Sequence, residues 1–233
     1  TGKNVGGRST GVTHSFNGDD YTRIRLGPAT SDEQLMLAFK SGDARAFATL
    51  VQRHRGPVYN FILRYVGHRQ RAEDVLQETW LKVVRSSSEW QPKARFTTWV
   101  YTIARNLCVD SARKESFRKT DSLDAPASND ESDGRTKGEL VADPMGQTPD
   151  RAAHNTRLRP LIEQALLSLP SEQREVFLLR EYQGIGFKEI AEVTGVNENT
   201  VKSRMRYALE GLRKRLGELG VDGELINAEG TVA

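Results

Sequence analysis

Near the C-terminus, the segment FKEIAEVTGVNENTVKSRMRYAL crowds polar and cationic side chains into one short stretch. Asn199, Thr200, Lys202, Ser203, Arg204 and Arg206 offer amide, hydroxyl, ammonium and guanidinium groups. Such groups read base edges in a major groove and hold phosphates. The residues around them predict a helix-turn-helix. Ala191 falls where two helices cross closely and a larger side chain would clash. Gly195, four residues on, suits the left-handed turn. Val201 returns the second helix to the core with Ile190, Val196 and Met205, and Asn197 is a good N-cap. From Lys202 to Arg215, six basic residues accompany one acid, Glu210. Arg204 and Asn199 fall on different sides of this helix, so they do not address the same base. The plainer alternative is a helical hairpin with a solvated basic face.

A second constellation is acidic. Asp74, Gln77 and Glu78 share one side of a predicted helix at i, i+3 and i+4. Carboxylates there would repel DNA but suit a basic protein surface. The plainer reading is a solvated face, which surface charge usually is. A third constellation mixes rings and cations: Trp90, Lys93, Arg95, Phe96, Trp99, Tyr101, Arg105, Arg113 and Lys114. That mixture suits unstacked single-stranded bases. Phe96 and Trp99 also fit a helix core by periodicity. Trp90, beside Pro92 in a predicted loop, is the ring of most interest for stacking. Cys108 reads as a small core residue.

The elements that must position these groups are helical. Asp32 is expected to cap a helix over Glu33 to Lys40, broken by Ser41-Gly42-Asp43. A longer helix follows with Phe47, Leu50, Val51, His54, Val58, Phe61, Ile62 and Tyr65 near helical spacing, and Pro57 is expected to kink it. Ala72, Val75, Leu76, Thr79, Trp80, Val83 and Val84 then form an unbroken apolar stripe. Next comes a loop, Ser86 to Arg95, and a helix from about Phe96 to Lys114 with Trp99, Ile103, Leu107 and Ala112 inward. The second block opens near Thr156 with an apolar stripe from Leu158 to Leu169. Pro170 ends that helix and Ser171 is expected to cap the next, through Tyr182. Gly184 and Gly186 make a turn into Phe187–Thr194, and the last helix runs from Asn197 to about Leu216. Between the blocks, residues 116–155 are dense in Asp, Ser, Gly, Pro and Asn, which reads as a flexible acidic linker. The expectation is an all-α chain of two small helical domains, 31–115 and 156–219, the second carrying the helix-turn-helix. A disordered extension (1–30) and a flexible tail (220–233) flank them.

Charge follows the same division. Residues 31–115 hold 14 Lys and Arg against 9 Asp and Glu, net +5. Residues 156–219 hold 11 against 9, net +2, and residues 116–155 hold 5 against 8, net −3. Two basic lobes joined by an acidic strap suit a polyanion-binding protein. One cysteine and four scattered histidines give no expected disulfide, metal cluster or other cofactor site. No phosphate-cradling glycine loop, HExxH helix or GxSxG elbow is present, which argues against an enzyme. With no apolar run long enough to span a bilayer and no signal-type stretch near the start, a cytoplasmic location is expected.

AEDVLQETWLKV followed by FTTWVYTIARNLCVDSARK resembles region 2 of the extracytoplasmic-function (ECF) group of bacterial sigma factors, in the sigma-70 family. GDARAFATLVQRHRGPVYNF fits the start of that region. SLPSEQREVFLLREYQGIGFKEIAEVTGVNENTVKSRMRYALEGLRKRL resembles region 4. The resemblance covers about Asp32 to Lys114 and Arg157 to Leu216. It implies a sigma factor that brings core RNA polymerase to a promoter and carries no catalysis of its own. It further implies that Asp74, Gln77 and Glu78 meet the β′ coiled coil, and that region 4 meets the β flap. Trp90, Lys93, Arg95, Trp99, Arg105, Asn106 and Arg113 would engage the melted −10 element. The helix from Asn197 would read the −35 element as duplex, and an anti-sigma factor is an implied partner. Gly186 stands where the family usually has Ser or Thr. An autonomous helix-turn-helix regulator is the competing reading. It leaves the whole first block without a role.

Overall fold

The computed structural model describes residues 30–121 and 149–221, with side chains over 30–116 and 158–221. The expected extension and tail, and most of the expected linker, lie outside these residues. Every regular element described is helical.

In the first block, α1 (Asp32–Lys40) is capped one residue earlier than expected. Ser31 Oγ accepts from the Gln34 amide at 3.2 Å, and the Gln34 side chain accepts from the Ser31 amide at 3.0 Å. This reciprocal box satisfies two donors at once. It also frees Asp32 to point inward, where Arg53 Nη1 donates to it at 2.9 Å and His54 Nε2 lies 2.6 Å away. Helix α2 (Ala44–Val66) runs without a break through Pro57 and ends at Gly67, whose φ of 69° is the left-handed cap. Helix α3 (Arg69–Arg85) buries Ala72, Val75, Leu76, Thr79 and Val83. The stripe stops short of its expected end, since Val84 is 41% exposed.

Helix α4 (Phe96–Asp121) continues past Lys114, because ESFRKTD contains neither glycine nor proline to stop it. Its inward face is Phe96, Val100, Ile103, Ala104, Leu107 and Cys108. Ala112 is exposed rather than inward. Phe61, Ile62, Leu50, Val58 and Phe96 are fully buried and hold α2 and α4 together. Each such side chain contributes about 1.5–3 kcal/mol of apolar burial.

The second block begins with α5 (Pro149–Ser168), earlier than Thr156; Pro149 occupies a first-turn position where a missing N–H costs nothing, and Pro160 lies inside the helix. In α6 (Ser171–Phe177) the cap position belongs to Pro170, not Ser171. The Ser171 hydroxyl instead donates to Glu172, 3.1 Å away. A π-helical turn, Leu178–Tyr182, replaces the expected α-helical end. Gly184 (φ 63°) then turns the chain. Helix α7 (Phe187–Thr194) stops at Gly195, φ 72°, whose amide bonds the Ala191 carbonyl at 2.9 Å. Asn197 Oδ1 caps α8 (Glu198–Glu218) by accepting from the Thr200 amide at 2.8 Å.

The blocks close on each other, α4 against α7 and α2 against α5 and the π turn. Arg174 Nη1 donates to the Tyr65 carbonyl at 2.7 Å. The Tyr101 hydroxyl donates to Gln183 Oε1. The Arg64 guanidinium lies 4.1 Å above the Tyr182 ring.

Candidate nucleic-acid interface

The helix-turn-helix forms as its spacing predicts. Ile190, Val193, Val201 and Met205 are buried, while Ala191 and Val196 pack against them. Gly186 begins α7 without a side-chain oxygen to offer. Glu189 compensates by accepting from the Gly186 amide at 3.2 Å.

Of the six α8 candidates, Asn199, Lys202, Ser203 and Arg206 are exposed, and Thr200 is half-buried. Thr200 also donates its hydroxyl to Asn197, at 3.0 Å, so it braces the cap. Lys202 is clamped one turn back by Glu198 at 2.6 Å. The Arg206 guanidinium sits 4.9 Å over the ring of Tyr207, which is itself 48% exposed. Arg204 leaves the set. It turns to the flank of the helix and lies 3.5 Å from Glu175 Oε1. A buried carboxylate left without a cation is strongly unfavourable, which holds Arg204 on that side.

On α3, Asp74, Gln77 and Glu78 are all exposed, as a docking face requires. Leu81, 55% exposed, extends that face one turn further and was missed by the sequence reading. Its seven-residue spacing from Asp74 was the available signal.

The loop before α4 differs from expectation. Trp90 is 2% exposed and lies 6.5 Å from the Trp99 ring. Its carbonyl accepts from Lys40 Nζ at 2.7 Å. Burying so large a ring outweighs leaving it in a polar loop. Trp90 is therefore core in this arrangement, not a free stacking surface. Trp99 is half-buried, 6.2 Å from the Phe96 ring. Lys93, Asn106 and Arg113 are exposed. Arg95 is exposed over most of its length but pairs with Glu189 of α7 at 3.2 Å. Arg105 is half-buried and committed to Glu175. Lys93, Arg95 and Thr98 thus line one wall of a groove whose other wall is Lys188, Glu189 and Glu192 of α7. Lys188, exposed beside this groove, is a cation that the sequence reading did not single out.

Comparison with known proteins decides the family. The Sigma-70 region 2 model matches residues 50–118, and the Sigma-70, region 4 model matches residues 159–212. The ECF RNA polymerase sigma factor SigW of Bacillus subtilis is 34% identical over 77% of this chain and 94% of its own. The ECF sigma factor SigL of Mycobacterium tuberculosis is 36% identical over 79% of this chain and 99% of its own. The chain belongs to the ECF RNA polymerase sigma factors.

A sigma factor binds core RNA polymerase and promoter DNA and directs promoter-specific initiation. Sigma factors regulate transcription and are not themselves enzymes. Solved structures share the fold. CnrH, in complex with the cytosolic domain of CnrY, superposes with a TM-score of 0.58 at 21% identity over 81% of this chain and 99% of its own. The Bartonella quintana sigma factor RpoE, in complex with the anti-sigma factor NepR, gives 0.58 at 20% identity over 75% of this chain and 98% of its own. Among the described residues of this sigma factor, no helix is long and apolar enough to cross a membrane.

Proposed function

We propose that this sigma factor divides its work among three surfaces on two domains, residues 31–115 and 156–219, joined by a tether. The acidic face of α3, Asp74, Gln77 and Glu78 with Leu81 beside it, docks on the β′ coiled coil of core polymerase. Lys93, Arg95, Asn106 and Arg113 engage the phosphates and bases of the melted −10 strand, with Arg105 joining them. Trp90 and Trp99 support that surface as a paired ring wall. Asn199, Lys202 and Arg206 enter the −35 major groove, with Thr200 and Ser203 at its edge, while the second domain rests on the β flap. The protein works in the cytoplasm, without a catalytic step, and an anti-sigma factor restrains it.

The observation that carries this reading is where the exposed polar groups gather. Asp74, Gln77 and Glu78 stand together on the outer side of α3, and Asn199, Lys202 and Arg206 stand exposed at the start of α8. An autonomous DNA-binding regulator has no use for the first.

The test is run-off transcription with core polymerase on genomic DNA, followed by holoenzyme binding to single-base −35 variants. Alanine at Asn199, Lys202 or Arg206 should relax preference at one position where a base contact is lost, costing about 1–3 kcal/mol. Wild-type preference kept at every position by all three variants would remove α8 from promoter reading. Sequence-specific duplex binding without polymerase would favour the autonomous regulator.

A further inference from the structure

Glu175 on α6 has a side chain only 1% exposed, and it meets guanidinium groups from two directions. From the first domain, Arg105 donates Nε–H to Oε2 at 2.8 Å and Nη2–H to Oε1 at 3.3 Å. From α8 of its own domain, Arg204 brings Nη1 to 3.5 Å from Oε1. Burial pushes the Glu175 carboxyl above its usual range, and the Arg105 hydrogen bond pulls it back.

The −10 and −35 elements are, by their own numbering, about 25 base pairs apart, or about 85 Å of duplex at ~3.4 Å per step. One carboxylate cannot touch α4 and α8 while those helices serve sites so far apart. The closed arrangement is therefore not the promoter-bound one. The chain between Asp121 and Pro149 can reach about 95 Å when fully extended, enough for the domains to part with α4 and α5 intact.

We propose that Glu175 is the pivot of an arginine exchange. In the closed protein it grips Arg105 through both oxygens and withholds it from nucleic acid. On opening, Arg105 leaves for the −10 strand and Glu175 passes wholly to Arg204. Stripping a buried carboxylate of its cation is strongly unfavourable, so a lock with one arginine would resist release. Arg204 removes that obstacle because it travels with Glu175 in the same domain. This assigns Arg204 to Glu175 rather than to a base. The exchange rests on the proposed −10 role of Arg105.

Core polymerase affinity reads the lock, because neither Arg105 nor Glu175 belongs to the acidic face of α3. If only the open form binds, the closed population weakens the apparent affinity. Arg105→Ala leaves the Glu175–Arg204 pair in place. It should tighten core binding by about tenfold while weakening capture of the −10 single strand. Glu175→Gln should tighten core binding too, and the double variant should gain no more than the stronger single. Spin labels on Asp110→Cys and Glu210→Cys, both exposed, report the domain separation in a Cys108→Ser background, which removes the native thiol. The free protein should give a short distance and the core-bound protein a long one. Unchanged or weakened core binding by folded Arg105→Ala would overturn the exchange and leave the sigma-factor assignment standing. So would a long distance in the free protein or a short one in the complex. Failure of the wild-type chain to bind core would overturn both.

Discussion

Glu198 and Lys202 close a 2.6 Å ion pair along the first turn of α8, the turn that a helix-turn-helix offers to base edges. The carboxylate partly cancels a cation that would otherwise meet phosphate. Glu198→Gln should therefore raise affinity for every duplex. It should also steepen the log-affinity against log-salt slope by about 0.9 for the one phosphate contact regained. Holoenzyme binding across a salt series measures this, and an unchanged slope would mean that Lys202 never meets a phosphate.

The α3 face separates docking from folding. Asp74→Ala with Glu78→Ala removes two exposed charges and should shift stability by no more than about 0.5 kcal/mol. Core polymerase affinity should fall, and Leu81→Ala should lower it further. Pull-down and melting temperature are read together. A folded double variant with wild-type affinity removes this face from the polymerase contact.

Trp90 and Lys93 lie three residues apart but should fail in opposite ways. Trp90→Ala empties a buried site between α1 and α4 and should cost about 3–5 kcal/mol of stability. Lys93→Ala, on an exposed side chain, should leave melting nearly unchanged and weaken binding of the −10 strand. Chemical denaturation of the two variants separates the cases. A Trp90→Ala protein as stable as wild type would contradict its burial.

Asp32 makes the first domain sensitive to acid. The hydrogen bond with His54 holds its carboxyl below the usual range against the opposing effect of burial, and Arg53 assists. A carboxyl depressed in the folded state contributes stability above its unfolded value, near 4, and loses it as pH falls through the folded value. Asp32→Asn should thus be less stable than wild type at neutral pH. The gap should narrow below about pH 4. A gap that stays constant from pH 7 to pH 2.5 would show that the charge is not what matters.

Much of this was legible in the sequence, for reasons particular residues make plain. Gly195 and Asn197 bracket the turn with local signals, a left-handed residue and a cap, and both formed as expected. The α3 stripe is equally local, and its outer face followed from it. The burial of Trp90 and the sideways turn of Arg204 have no local signal, because tertiary contacts decide them. Lys40 and Trp99 capture the first, and Glu175 captures the second. Ser31 displaced Asp32 from the cap because Arg53 and His54, on α2, offered the carboxylate a better use. The closure between domains had no signature in sequence, since its partners are scattered from Arg64 to Glu189.

Two glycines test whether backbone or space sets the second domain. Gly195 is left-handed with open space around its missing side chain, so Gly195→Ala should cost about 1 kcal/mol through the backbone alone. An added Cβ at Gly211 would meet Leu169 Cδ2 at 2.7 Å, the far end of a flexible side chain. Leu169 can turn aside, and Ala favours the helix by about 1 kcal/mol over Gly. Gly211→Ala should therefore be neutral or stabilising. Thermal melts of both decide it, and equal losses would contradict the distinction.

The π turn at Leu178–Tyr182 holds one residue more than an α turn would need. It behaves as an insertion stored within a helix, ahead of Gly184 and the helix-turn-helix. Deleting one residue there would let the segment relax to ordinary α geometry and re-aim the side chains at the turn and its end, Tyr182 and Gln183. Those two side chains are the ones that meet Arg64 and Tyr101. Chain length at this single point thus tunes how well the halves of the molecule fit. A lineage could gain or lose that fit by one codon without touching a residue that faces DNA.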